Sequence, residues 1–130
     1  MSEVAVSPQG ESLNLSALRG QNVSRMRRWH GDADEWSGAD WSNAMCGEAG
    51  EAANVVKKLR RHETHTGTSY NTPPPDELLT ALAEELADVV TYCDLLAHHY
   101  GIDLAAAVIA KFNRVSAAQD FPERLGGCHW

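Results

Sequence analysis

Four acidic residues are the groups best able to do chemistry in this 130-residue chain: Glu48 with Glu51, and Glu85 with Asp88. Each pair is spaced by three residues, so on a helix its members are neighbours and present their carboxylates to one side. Both pairs interrupt apolar patterns. Trp41, Met45, Glu48, Ala52, Val55 and Leu59 form one helical stripe, and Leu78, Leu82, Glu85, Val89, Tyr92 and Leu96 form another with the same order of steps. If the two stripes face each other, four carboxylates converge. Ionised carboxylates in an apolar junction are costly unless compensated, and four together repel one another. A divalent cation resolves both problems. Oxygen-only ligands suit a hard ion, Mg²⁺ or else Mn²⁺, whereas a di-iron site of the ferritin type wants a Glu-x-x-His pair that neither stretch contains.

The elements that must position these groups are helices. The first acidic helix is expected over about 39–61, with Ser37 or Asp40 as its N-cap, and the second over about 77–100, capped by Asp76 and ended by a left-handed Gly101. A last helix follows the Asp103 cap, over about 103–117, and directs a stripe of Leu104, Val108, Phe112 and Val115 at the core. Ahead of these, Leu15, Leu18, Val23, Met26 and Trp29 recur at helical spacing from Asn14 to Trp29, with Gly20 as a weak point. Arg19, Arg25, Arg27 and Arg28 fill its other faces and read as a solvated or oligomer-facing surface. Between the acidic helices, the run from His62 to Pro75 holds three consecutive prolines and is expected to be irregular, with His62 and His65 solvated.

The fold class is therefore all-α, of four-helix-bundle type, with one domain over residues 13–125 between a flexible tail at 1–12 and a short tail at 126–130. Ala44, Ala49, Ala53, Ala83, Ala87 and Val90 spread small and apolar residues beyond the main stripes. Such helices need cover on several sides, which predicts a homo-oligomer, dimer or tetramer, whose bundles are completed by a second chain.

A net charge of −7 argues against a nucleic-acid backbone as partner, and no apolar run is long enough to cross a bilayer. With no signal-peptide pattern at the N-terminus, the expected location is cytoplasmic. Three cysteines, Cys46, Cys93 and Cys128, support neither a disulfide framework nor a zinc site, and Cys46 and Cys93 read as small core residues. Trp41 either staples the start of the first acidic helix or stacks on a nucleobase. Lys111 is either a surface lysine or a cation aimed at the acidic cluster.

Laid out this way, the chain from about Trp36 to Leu125 resembles the all-α nucleoside triphosphate pyrophosphohydrolase superfamily, and within it the short MazG-like proteins. The superfamily is marked by Glu-x-x-Glu on one helix and Glu-x-x-Asp on the next, which here are Glu48 with Glu51 and Glu85 with Asp88. Gly47 and Gly50 resemble the Gly-Glu-x-Gly-Glu form of the first motif, and the run from Lys111 to Arg114 resembles the family's phosphate-side lysine and asparagine. Phe121-Pro-x-Arg is similar to its C-terminal segment, while the loop between the acidic helices is longer than in compact members.

The resemblance implies Mg²⁺-dependent hydrolysis of a (d)NTP to its monophosphate and pyrophosphate. On that reading Glu48, Glu51, Glu85 and Asp88 hold metal, and Glu48 or Glu51 orients the attacking water. Lys111, Asn113 and Arg114 serve the phosphates, and Trp41, Tyr92 or a residue from a partner subunit serves the base. Two other readings stand beside it: a non-catalytic nucleotide or metal sensor, and a structural bundle whose carboxylates form ion pairs with Lys111, Arg114 and the helix-end cations.

Overall fold

The computed structural model describes residues 12–33, 35–64 and 71–127, and over these the chain is all-α with no strand. Four helices follow one another: α1 (Leu15–His30), α2 (Gly38–Thr64), α3 (Pro75–His99) and α4 (Leu104–Ala118). These match the expected elements closely. The differences lie at the ends: α2 runs on through His62 to Thr64, and α3 begins two residues early.

The helix starts follow from local chemistry. Asn14 Oδ1 accepts from the Ala17 amide at 2.8 Å and Asp103 Oδ1 from that of Ala106 at 3.0 Å, each satisfying a first-turn donor that lacks a helical partner. At α2, Ser37 and Asp40 act together. Ser37 Oγ accepts from the Asp40 amide at 3.2 Å while Asp40 Oδ2 accepts from the Ser37 amide at 2.8 Å, a reciprocal capping box. Asp76 is not the cap of α3. Pro74 occupies that position without a side-chain bond, and Pro75 opens the helix. A proline there starts with its φ already helical and has no N–H to leave unpaired, so no capping side chain is required. Asp76 instead lies in the first turn with Glu77, where negative charge complements the helix dipole.

The end of α3 is a Schellman turn. Gly101, at φ 67°, lets the Ile102 amide reach the Ala97 carbonyl at 2.8 Å and its own amide reach that of His98 at 3.0 Å. This turn sends the chain directly into α4.

α2 and α3 form an antiparallel hairpin along most of their length. Tyr100, just past the end of α3, covers Gly38 at the start of α2, and at the opposite end His62 Nε2 lies 2.8 Å from the Pro73 carbonyl oxygen. Trp41, Ala52, Val55 and Leu78 are buried between them, so the two expected stripes do face each other.

α1 lies against α3, where Met26 and Leu95 join Trp41 in a small core that Val23, Trp36, Tyr92 and Leu96 surround. A polar knot fixes this contact. Asp94 is fully buried, and accepts from Arg19 Nε at 2.8 Å and Asn22 Nδ2 at 3.1 Å, while Asn22 Nδ2 also donates to the Thr91 carbonyl at 2.9 Å. Arg19 reaches on to the Ile102 carbonyl at 3.0 Å. Arg19 is thus a tie between helices rather than a solvated arginine. Buried polar groups need such partners, and a network of this kind permits one register of α1 on α3.

Other expectations are corrected by the packing. Trp29 is 68% exposed and lies outside the core, and Cys46 is exposed where a core position was expected. The α4 stripe does not face a core within this chain: Val108, Phe112 and Val115 are each more than 40% exposed. The reason is geometric. α4 touches α1 only lightly, and Ser116 is its one buried residue, so no other helix among the described residues covers its apolar face. His65, Cys128 and the residues 1–11 lie outside the described residues.

Candidate metal centre and aromatic cavity

Glu48 and Glu85 stand at matching heights in the two facing stripes, and the antiparallel hairpin brings them together. Ligand oxygens of Glu48, Glu85 and Asp88 all lie within 4.8 Å of one another. Glu51, one turn beyond Glu48, is exposed and brings its carboxyl against those of Glu48 and Glu85. Three of the four acidic residues singled out by spacing therefore meet at one place, with Glu51 beside Glu48 and Glu85.

The electrostatics are those of crowded, partly desolvated acids. Desolvation between the helices, then contact with the carboxyls of Glu51 and Glu85, then repulsion from Glu51 and Asp88, push Glu48 up from 4.5 to about 7. Glu85 is raised for the same leading reason, with Glu51 the main neighbour acting on it. Glu48 Oε2 is buried and has no hydrogen-bond partner among the described residues. Its polar neighbours are carboxyls, which accept but cannot donate once ionised. The cluster has two ways to relieve this: retain a proton, or hold a cation. An all-oxygen donor set with an orphaned buried oxygen fits Mg²⁺ or Mn²⁺ and offers no soft ligand for zinc or copper.

Asp88 also forms part of a second feature. A cavity of about 150 Å³ opens beside it between α1, α2 and α3. Its walls include five rings, those of Trp29, His30, Trp36, Trp41 and Tyr92. Trp36 and Trp41 are 4.5 Å apart between ring centres, His30 meets Trp36 edge-on at 4.9 Å, and Tyr92 is 6.3 Å from Trp41. Trp41 is 1% exposed, so it serves as the floor while the less buried rings form the sides. Both residues that the sequence reading assigned to the base, Trp41 and Tyr92, line this cavity.

The phosphate-side residues stand apart from the carboxylates. Lys111 and Arg114 are exposed on α4 and form no ion pair among the described residues. Asn113 is engaged elsewhere: its Nδ2 donates to the Leu125 carbonyl at 3.1 Å and its Oδ1 accepts from the Leu125 amide at 2.7 Å. That double bond of side chain to backbone clamps the segment after α4.

Sequence reasoning passed over Asn22, His30 and Asp94, and read Arg25, which lines the cavity, as part of a solvated or oligomer-facing surface. The signal for Asn22 was present: it sits between Leu18 and Met26 at steps of four, a polar residue inside an apolar stripe, as Glu48 is in its own. Asp94 belongs to a third stripe, with Asp88, Thr91 and Leu95, that faces α1 and is hidden by the richer stripe beside it. In comparisons with known proteins, no family model matches the chain and no curated protein matches it significantly.

Proposed function

We propose that this chain is a Mg²⁺-dependent nucleoside triphosphate pyrophosphohydrolase of the MazG-like kind, cleaving a (d)NTP to its monophosphate and pyrophosphate. The observation that carries the reading is the shared wall: an oxygen-only cluster with an unpaired buried oxygen adjoins, through Asp88, an aromatic cavity. A metal-dependent phosphate chemistry and a flat ring binder side by side are what a nucleotide requires.

Glu48, Glu51, Glu85 and Asp88 would hold the cation, with Mn²⁺ as the substitute. When bound, the ion supplies charge neutralisation of the polyphosphate and a more acidic water. The cavity holds the base and so fixes where the α-phosphate lies relative to the carboxylates. Glu48 or Glu51 accepts a proton from the attacking water as its oxygen bonds to the α-phosphorus. The bond from that phosphorus to the bridging oxygen breaks, and the electron pair leaves with pyrophosphate. Lys111 and Arg114 are the cations available to that leaving group. Because both sit on α4, away from the carboxylates of their own chain, a homo-oligomer is part of the proposal, with cytoplasmic nucleotides as substrate.

The test is pyrophosphate release from a panel of dNTPs with Mg²⁺. Glu51→Gln and Asp88→Asn should each lower kcat/KM by on the order of 10²-fold, the scale of removing one preorganised electrostatic partner. EDTA should abolish turnover and Mn²⁺ restore it. Absence of pyrophosphate from every nucleotide would refute the activity.

A further inference from the structure

Arg25 is placed differently from the other arginines of α1. That helix carries four of them, Arg19, Arg25, Arg27 and Arg28, and no acidic residue. Arg19 is tied to Asp94, while Arg27 and Arg28 border a separate groove with His98. Arg25 alone of the four lines the cavity that Asp88 adjoins. Spacing gives the reason. Asn22, Arg25, Met26 and Trp29 stand three or four residues apart, so they share one face of the helix, and all four line the cavity. A purely solvated arginine belongs on the opposite face.

The guanidinium is held in place without being neutralised. Its Cζ lies 5.1 Å from the centre of the Trp29 ring. The face of an aromatic ring attracts a cation but takes up none of its N–H groups as a carboxylate would, so the five donors of the guanidinium stay available. Among the described residues Arg25 forms no ion pair, although Asp88 lines the same cavity. A cation kept beside acidic groups and not paired with them is free to meet an anionic ligand.

We propose that Arg25 is a catalytic residue that binds the α-phosphate, donating to its non-bridging oxygens while the base occupies the cavity. A nucleotide seated in this way brings its α-phosphate out beside Asp88, so the cation lining that cavity meets this phosphate before the other two. The contact persists in the monophosphate product. Arg25 belongs to the same chain as the carboxylates and serves the phosphate under attack, whereas Lys111 and Arg114 serve the pyrophosphate that leaves. A fork of donors on the α-phosphate stabilises charge that builds there as water adds. The inference deepens the pyrophosphohydrolase reading and rests on it for the identity of the ligand as a nucleotide.

Calorimetry with the four deoxynucleosides and their 5′-monophosphates, in Mg²⁺, tests this without turnover. The unaltered protein should bind the best monophosphate at least about tenfold more tightly than its nucleoside, the scale of a hydrogen bond to a charged group. Arg25→Gln should remove most of that preference and leave the nucleoside's affinity unchanged, and Arg25→Lys should retain part of it. Arg25 is exposed, so both variants should melt with the unaltered protein. No preference for the monophosphate, a preference that survives in Arg25→Gln, or an equal loss of affinity for nucleoside and monophosphate would each overturn the proposal. If no nucleotide is hydrolysed while the preference still depends on Arg25, the pyrophosphohydrolase reading falls and the phosphate assignment stands.

Discussion

Glu48 is the residue at which fold and chemistry conflict most directly. Its folded value of about 7 lies above the ordinary 4.5, so the fold favours the protonated form. The resulting contribution to stability is complete below about 4.5 and is lost as pH rises through about 7. The metal-free protein should therefore melt at a lower temperature at pH 8 than at pH 5. Glu48→Gln, which cannot ionise, should flatten that dependence, and Mg²⁺ should raise the melting temperature most at the alkaline end. Thermal melts in EDTA and in Mg²⁺ across this pH range check all three. A second residue-scale prediction concerns Arg19. Arg19→Met leaves the fully buried Asp94 with Asn22 as its remaining donor, and should cost about 3 kcal/mol, measured by urea unfolding, because one partner of a buried ion pair has been removed.

At the scale of the element, each helix start has its own device, and these can be tested separately. Ser37→Ala breaks the capping box of α2 and should cost about 1 kcal/mol. Gly20 sits inside the continuous α1 with open space where a Cβ would be, so Gly20→Ala should stabilise by about 0.5–1 kcal/mol. Gly38 behaves differently although it too is helical. A Cβ there would run into the Tyr100 ring, so the ring must swing aside and the clasp between the α2 start and the α3 end opens. Helix propensity and tertiary contact thus give opposite outcomes for the same substitution at two positions.

For the molecule as a whole, the unresolved demand is the apolar surface of α4. Val108, Ile109, Phe112 and Val115 are all well exposed, and Leu86 and Val90 of α3 are exposed as well. Patches of this kind mark interaction surfaces. In the proposed oligomer they are covered by a second copy, which also offers a route for Lys111 and Arg114 to approach carboxylates they do not meet in their own chain. Light scattering at micromolar concentration should give a dimer or a tetramer, and Phe112→Asp should shift it to a monomer with loss of turnover. A wild-type monomer that still hydrolyses nucleotides would show that α4 plays no part in assembly.

What the sequence determined by itself was most of what local periodicity and end chemistry govern, the cap of α3 excepted. The four helices, their approximate limits, the caps at Ser37 and Asp103, the left-handed Gly101 and the four carboxylates all depend on residues within one or two turns of each other. The acidic cluster was legible because two interrupted stripes of equal spacing can meet in only one way across a hairpin. Tertiary structure decided the rest. The burial of Asp94 with Arg19 and Asn22 joins residues about 70 positions apart, and nothing in the neighbourhood of any one of them announces it. The size of the aromatic cavity is set by how three helices cross, and the exposure of the α4 stripe by what fails to cover it. An apolar stripe shows that a helix must be covered; only the packed chain shows whether the cover is its own.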